Sequence, residues 1–562
     1  MEDVIRKHAL KNAFDYGKAD VGAVVGRVVA EVPEAKKDMK KTMATIKKIV
    51  GEINKMKKNE VGKALEKYSF EKKKEEERKI TLPNAVRGKV VTRFPPEPSG
   101  FPHIGHAKAA FLDFEGARAY EGKFILRFDD TNPEKEEQKF ADAIKEGLGW
   151  LGITWDEELY ASDFMPKIYE HAEKLIEKGR AYVCTCSQEE MKKARAEGKG
   201  CACREKKPAS GVKEWKEMLK GKLREGEAVV RFKGDVGSLN TVMRDPTILR
   251  IIEAPHYRQK NKYRVWPNYD FEVSILDSVT GVTHAMRTKE YELRDELYNA
   301  LLDAMGLRKP VIVEFSRLAI KDAPIGKRLL RPLIEENKVL GWDDPRLPTL
   351  AGLKRRGIRP EAIKKFVLSF GIGKAESEPT WDALLSENRK ILDPVSERYY
   401  FVPSPLKLKV KNAPKMSAHL RKHPTADLGE RVMEVGNTFY IPKSDAQALA
   451  RGEVFRLKDL YNVKFLREGE QLEGEYAGGE LKEGKKLQWV SEENYLECEV
   501  LVPGDVLVDD RFNETSLRID EGYCERACGS LGVGAIIQFE RYGFCRLDWK
   551  GKNKLRFILT NP

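Results

Sequence analysis

Residues 91–110, VTRFPPEPSGFPHIGHAKAA, limit what this 562-residue chain can fold into more than any other stretch. A β-branched and aromatic run ends in a turn crowded with Pro95, Pro96, Pro98 and Gly100, and a helix-forming run follows. Strand, tight turn and helix make the opening unit of a doubly wound parallel sheet. Where such a turn empties into the helix, unpaired backbone N–H groups and the positive end of the helix dipole point outward, which suits a phosphate. His103 and His106 lie three apart on one helical face, and Gly105 lets a flat ring approach the backbone closely. As a metal pair the histidines lack a third ligand, and no acid follows in the HExxH manner.

The same rhythm continues downstream. VVTRF, KFILRF and VIVEF read as strands and HAKAAFLDFEGARAY and FADAIKEGLGWLG as helices, so an α/β domain is expected from residue 87 to about 320. Ahead of it, VIRKHALKNAF and KKTMATIKKIVGEINKM space apolar residues by three and four with lysines between, which predicts a helical domain over residues 1–86. EKKKEEERK at 71–79 reads as a solvated helix extension or linker. Beyond residue 396, YYFVPSPLKLKV, EVFRLKDLYNVKF, YLECEVLVPGDVLV and AIIQFERYGFCRLDW are short strands punctuated by Gly and Pro, which predicts β-barrels to residue 562.

Composition narrows the class. Hydrophobic residues make up 41% and charged residues 34% of the chain, as in soluble globular proteins. No apolar run approaches the roughly 20 residues of a membrane span, and MEDVIRKHAL lacks a signal-peptide core, so no membrane association and a cytoplasmic location are expected. Lys plus Arg exceed Asp plus Glu by 13 (102 against 89), a balance that attracts polyanions without identifying one. Cys184, Cys186, Cys201 and Cys203 form two CxC pairs separated by 14 residues, a donor set that fits one tetrahedral Zn²⁺ closing a loop. Cys498, Cys524, Cys528 and Cys545 have no paired spacing and read as reduced core residues.

These residues carry a resemblance. His103-Ile104-Gly105-His106 is similar to the HIGH signature of class I aminoacyl-tRNA synthetases, and TRFPPEPSG with LRFDDTNPEKEE (126–137) resembles the glutamyl and glutaminyl subgroup. The similarity runs on through MRDP (243–246), YDF (269–271), EFSRL (314–318), GWDDPRLPTLAGLKRRG (341–357) and QFERYGF (538–544), covering roughly residues 88–562. It implies a Rossmann-type catalytic domain over 87–320 with an acceptor-end insertion at about 184–262. A signature loop and helical connector would follow at 321–395 and anticodon-binding barrels at 396–562.

The implied reaction has two steps. A glutamate carboxylate attacks the α-phosphate of ATP, with Mg²⁺ on the phosphates, and the acyl adenylate passes to the terminal adenosine of tRNA(Glu). Whether tRNA(Gln) is charged as well stays open, and a monomer is expected. In-line displacement at phosphorus is helped mainly by positioning and charge neutralisation, so His103 and His106 would bind phosphate rather than attack. The resemblance assigns Glu97, Gly105, Arg317, Leu318 and Lys327 to ATP. Arg93 and Asp129 match residues that contact the substrate's carboxylate and ammonium, and Tyr269 and Arg287 match the amino-acid pocket. A guanidinium at Arg287 wants a carboxylate, whereas glutamine would leave it partly unpaired at roughly 3–5 kcal/mol.

The second signature departs from the family. Pro324-Ile325-Gly326-Lys327-Arg328 stands where relatives read closer to VMSKR, so Lys327 keeps its charge while Gly326 lacks a hydroxyl. Lys415-Met416-Ser417 looks more like the signature but lies in the barrel region. Lys354, Arg355 and Arg356 open the connector, where they are expected to make salt-sensitive contacts with tRNA phosphates. Two rivals remain. A glutaminyl enzyme would share nearly every motif, with Arg287 against it; a catalytically silent tRNA-binding protein would explain the altered loop, with His103, His106 and Lys327 against it.

Overall fold

Residues 1–77 and 78–562 form two compact units. The computed structural model describes every residue except 37, 57, 66, 69–79, 325, 377 and 468–470. The first unit contains α1 (Glu2–Tyr16), α2 (Val21–Glu31), α3 (Met39–Ile53) and α4 (Lys58–Leu65) around Ile5, Leu10, Val24, Val28, Ile46 and Ile53. Asp20 and Asp38 cap α2 and α3, their carboxylates accepting the backbone N–H of Ala23 and Lys41. The boundary falls about nine residues before the expected one, because Ile80, Leu82 and Ala85 pack against Val90, Leu112 and Met286 of the second unit. The linker expected at 71–79 lies outside the described residues.

The second unit opens with β1 (Val91–Phe94), α5 (Ile104–Ala119), β2 (Lys123–Phe128), α6 (Gln138–Trp150) and β3 (Glu157–Tyr160). β1, β2 and β3 are parallel, Val91 opposite Lys123 and Ile125 opposite Glu157. α5 packs closely because its buried face carries Ala107, Ala110, Gly116 and Ala117. The return to β2 needs glycine at Gly122, where a Cβ would lie 2.2 Å from the Val90 carbonyl oxygen.

After α7 (Met165–Glu177) the chain builds an antiparallel sheet from β4 (Ala181–Cys184), β5 (Val229–Phe232), β6 (Thr247–Ile251) and β7 (Val265–Pro267), in that order. Between β4 and β5 lie α8 (Gln188–Glu197) and α9 (Pro208–Leu219). The insertion is thus wider than the expected 184–262, since its outer strands start at Ala181 and end at Pro267. α10 (Tyr269–Val279), β8 (His284–Thr288), α11 (Asp295–Met305) and β9 (Val311–Phe315) return to the parallel sheet. Thr283 donates its backbone N–H to the Val91 carbonyl at 2.9 Å and its hydroxyl accepts the Val91 N–H at 2.8 Å. This sets β8 beside β1 and gives the order β3-β2-β1-β8-β9, the doubly wound arrangement expected.

The insertion is fastened at Asp130, just past β2. Its carboxylate accepts from Ser162 N–H at 2.8 Å, Ser162 hydroxyl at 2.9 Å and Tyr257 hydroxyl at 3.1 Å. His256 Nε2 lies 3.2 Å from the Asp130 carbonyl oxygen and 3.5 Å from Glu136 Oε2. All three side chains are fully buried, and that burial pushes Glu136 up to about 9 and Asp130 to about 7.

The connector comprises α12 (Lys327–Glu335), α13 (Leu350–Arg356), α14 (Pro360–Ser369) and α15 (Trp381–Leu392). Two seven-stranded, barrel-like sheets follow, and one is nested in the other. Residues 405–491 complete their own sheet, whereas the strands Arg398–Tyr399 and Phe401–Pro403 pair with Ile536–Phe539 and Leu517–Glu525 in the other. Lys415-Met416-Ser417 enters a hairpin strand, Met416–Arg421, paired with Glu430–Val435, as its position in the barrel region implied.

The expectation for Lys354, Arg355 and Arg356 is corrected. Arg355 forks onto Asp548 at 3.0 and 2.8 Å, Arg356 is buried over the Trp381 ring, and Lys354 pairs with Glu146 at 3.1 Å. These cations tie the connector to the barrel and to α6. Gly357, φ +94°, ends α13, where a Cβ would meet Thr560 Oγ1 at 2.6 Å.

Two outcomes follow. Arg355→Ala and Asp548→Asn are each expected to cost roughly 1–3 kcal/mol in urea unfolding, with a double-mutant coupling above about 1 kcal/mol; strictly additive losses would show the tie to be idle. Glu136 and Asp130 hold protons in the folded chain that the unfolded chain gives up near pH 4, so stability falls as pH rises from about 4.5 to about 9. The thermal midpoint should drop across that window, and Glu136→Gln should flatten its upper half.

Candidate active site

The first candidate group is built by the N-terminus of α5. His103 is the N-cap residue, extended at φ −133°, and its Nδ1 accepts the Gly105 N–H at 3.1 Å. His106 Nδ1 accepts the His103 N–H at 3.2 Å, completing a capping box. With Nδ1 an acceptor in both rings, each neutral imidazole carries its hydrogen on Nε2. Burial holds His106 down to about 4, and burial with His106 and Arg317 nearby holds His103 well below the usual imidazole range. The two rings, 4.0 Å apart between centroids, are therefore uncharged N–H donors at neutral pH. Gly105 is required by close approach: a Cβ there would meet His103 Cε1 at 2.9 Å and the Leu318 carbonyl oxygen at 3.3 Å. The ring seated against that backbone is His103's own.

Leu318 and Arg317 follow β9 at the carboxyl end of the sheet. Leu318 is buried, while Arg317 is exposed and reaches Glu290 at 3.4 Å. Lys108 anchors this segment from α5, its Nζ donating to the Ser316 carbonyl at 2.6 Å and hydroxyl at 3.0 Å. Glu97 is exposed in the turn after β1, and Pro96 in the same turn accepts the Asp129 N–H at 3.2 Å.

The second group is a buried charge network centred on Asp277 of α10. Arg93 donates to it at 2.9 and 3.3 Å and to the Met286 carbonyl at 2.7 Å. Arg127 donates to Asp277 at 2.7 Å and to Asp129 at 2.7 and 3.3 Å, and Tyr298 donates to Asp277 at 3.1 Å. Burial works against the Asp277 charge, but Arg93 and Arg127 hold it well below the usual carboxylate range. Arg287 lies over the Tyr298 ring at 4.4 Å and reaches Asp295 at 3.2 Å and Asp277 only at 3.9 Å. Its Nε and Nη2 are buried and have no hydrogen-bond partner. Two such N–H groups, side by side on one fork, are a socket for a carboxylate. Tyr269 opens α10 within electrostatic reach of Arg287, Arg93 and Asp129, and its ring lies tilted against that of Tyr291, 5.0 Å between centroids.

Arg287 and Asp129 thus share one network through Asp277 and Arg127. Arg93 belongs to it too, but is fully buried with its N–H groups turned to Asp277 and Met286. The altered second signature opens α12, with Gly326 as N-cap; a Cβ there would meet nothing within 4 Å, so no contact demands glycine. Ile325 and the Lys327 side chain lie outside the described residues. Asp277, Arg127, Asp295, Glu272 and Lys108 were missed in sequence reading. The available signal was an acid in the apolar run YDFEVSILDSV and an arginine in KFILRF. A cavity of 410 Å³ between α6, α13 and the barrel is lined by Phe101, Trp150, Lys354 and Arg546 and by none of the candidate residues.

The four insertion cysteines converge. Their sulfur atoms all lie within 4.8 Å of one another, Cys184 Sγ 3.8 Å from Cys201 Sγ and Cys186 Sγ 3.9 Å from Cys203 Sγ. Four sulfurs at about 2.3 Å from one tetrahedral zinc sit about 3.8 Å apart, so the donor set fits that ion. Each close pair joins one knuckle to the other. Cys498, Cys524, Cys528 and Cys545 are buried in the outer barrel core, as expected.

Comparison with known proteins agrees with this arrangement. The model for the catalytic domain of class I (E and Q) tRNA synthetases matches residues 89–394, and two anticodon-binding domain models of the same group match 396–481 and 486–548. The glutamate–tRNA ligase of Nitrosopumilus maritimus (strain SCM1) is 46% identical over 552 residues, 97% of each chain. Those of Cenarchaeum symbiosum (strain A) and Pyrococcus furiosus are 43% and 41% identical, over 97% and 98% of this chain and 97% of theirs. With the family's catalytic-domain model matching more than half of its length and near-full-length relatives above 40% identical, the chain belongs to the class I tRNA synthetases of the glutamyl and glutaminyl group.

Proposed function

We infer that this chain is a glutamate–tRNA ligase, and the observation that carries the choice of amino acid is the pair of unpartnered N–H groups on buried Arg287. A glutamate side-chain carboxylate satisfies both with charge-assisted bonds. Glutamine offers one neutral oxygen and an amide that cannot accept, leaving part of the fork desolvated and unpaired. Near-full-length relatives carry the same function in their names.

In this reading glutamate lies with its side chain toward Arg287 and Tyr269 and its ammonium on Asp129. Arg93 acts from beneath, adding positive potential and fixing Asp277, which in turn holds Arg127 and through it Asp129. The α-carboxylate oxygen attacks the α-phosphorus of ATP and pyrophosphate leaves; the tRNA hydroxyl then displaces AMP. His103 and His106 direct Nε2–H groups at phosphate oxygens as the charge redistributes, and neutral rings do so without holding the product by net charge. Arg317, Leu318 and Glu97 bound the adenosine side, and Lys327 neutralises pyrophosphate. Mg²⁺, which the family uses with ATP, would be held chiefly by phosphate oxygens and water.

Zn²⁺ held by Cys184, Cys186, Cys201 and Cys203 would close the loop of the insertion that handles the acceptor end, a structural role remote from the sheet. The working state is a monomer, and tRNA(Glu) is the substrate tested first.

Aminoacylation of purified tRNA(Glu) and tRNA(Gln) with labelled glutamate, and separately with glutamine, tests the function. Glutamate product is expected, and glutamine product would overturn the assignment. Arg287→Ala should lower kcat/KM for glutamate by about a hundredfold or more, mostly through KM, with KM for ATP within about twofold of wild type. Metal analysis should find one zinc per chain; Cys203→Ser should lose it and weaken tRNA binding while leaving the unfolding of the barrels unchanged.

A further inference from the structure

The first unit carries a charge pattern that the ligase chemistry does not use. Residues 1–67 hold 16 lysines and arginines against 10 acids. On α3 the two kinds of surface are cleanly divided. Thr42, Ile46, Ile49, Val50 and Ile53 are buried against the unit's core. At about 100° per residue, Lys40, Lys41, Lys47 and Lys48 fall within an arc of about 120° on the opposite side, and all four are exposed. Ala44 and Gly51, also exposed, lie between them, and exposed Lys55 continues the face two residues past the helix end. At 1.5 Å per residue the five ammonium groups are strung along about 22 Å.

Two of the unit's acids are engaged in ion pairs away from this face. Glu52, at the edge of this same helix, pairs with Arg6 at 2.7 Å, and Glu31 takes both Lys7 at 3.0 Å and His8 at 2.7 Å. None of the five lysine side chains has an ion-pair partner among the described residues. A solvated helix face in a protein of mixed charge normally interleaves acids with its lysines. Here one sign is strung out over two turns and more, with small residues in the gaps where a bulky polyanion would otherwise be held away.

We propose that this face of α3 binds the phosphate backbone of tRNA without regard to sequence, giving the enzyme a third RNA contact beside the acceptor-end insertion and the barrels. The proposal rests on the reading of the chain as a tRNA ligase for its choice of polyanion. Lysines act as point charges on phosphate, carry no base information, and release condensed counterions on binding. The contact therefore adds affinity equally for cognate and non-cognate tRNA and fades with salt.

The test uses the full-length protein with Lys40, Lys47, Lys48 and Lys55 all changed to Gln, and a second variant with the same four changed to Arg. Dissociation constants for tRNA(Glu) and for a non-cognate tRNA are measured between 50 and 300 mM salt. The Gln variant should bind both RNAs about tenfold more weakly at 100 mM salt, with the slope of log K against log salt smaller by about 2 to 3, while kcat at saturating tRNA is unchanged. The Arg variant should bind like wild type. An unchanged slope and affinity in the Gln variant would overturn the surface, and so would a loss confined to the cognate tRNA or one shared by the Arg variant. Should the chain fail to charge tRNA while the Gln variant still loses slope, the ligase reading falls and the surface stands.

Discussion

One buried carboxylate organises the catalytic half of this molecule. Asp277 receives Arg93 from β1, Arg127 from β2 and Tyr298 from α11, and it lies on α10, next in the chain to the strand that carries Arg287. Three guanidinium groups would repel one another in a site closed to water, and Asp277, held ionised by two of them, makes the assembly possible. What the network leaves over is the fork of Arg287. Arg93 and Arg127 are satisfied by Asp277, Asp129 and the Met286 carbonyl, and Nε and Nη2 of Arg287 are left buried without a hydrogen-bond partner. Burial, more than any neighbour, pushes the nearby Glu272 and Asp113 carboxyls well above the usual carboxylate range.

The histidine corner follows a different rule. His103 and His106 spend one nitrogen each on capping α5, which fixes both tautomer and direction, and their burial keeps them neutral. The Nε2 hydrogens are thereby set by the same hydrogen bonds that start the helix. Lys108, two residues further on, reaches across to Ser316 and so couples that helix to the segment ending in Leu318.

Much of this was legible because it is local. The strand, turn and helix of residues 91–119, the four convergent cysteines and the parallel sheet follow from periodicity, turn chemistry and spacing. Arg287 was legible only through a resemblance; on a strand by itself it reads as a surface arginine. Asp277 and Arg127 were visible as charges in apolar runs, yet nothing in the sequence says that they meet 150 residues apart. The basic run at 354–356 misled because a helix sequence does not reveal which acid approaches it, and Asp548 lies 193 residues away. The early boundary at 77 escaped notice because Ile80, Leu82 and Ala85 form neither helix nor strand and pack by side chains alone.

The nesting of the two barrels sets an order on biosynthesis. Residues 405–491 contain every strand of the inner sheet and can close it as soon as they leave the ribosome. The outer sheet cannot: Arg398–Pro403 must wait for Leu517–Glu525 and Ile536–Phe539, and Asn561 must arrive before it can bond Asn388 at 2.8 Å and the Leu385 carbonyl at 2.7 Å. At about 5–20 residues per second that delay is on the order of 10–30 s, during which Asn388 bonds only within the connector, accepting the Arg359 N–H and donating to the Gly357 carbonyl. The joint between the catalytic half and the anticodon half is thus the last part of the molecule to set, and while residues 492–561 are being made the finished inner barrel hangs from an unlocked hinge.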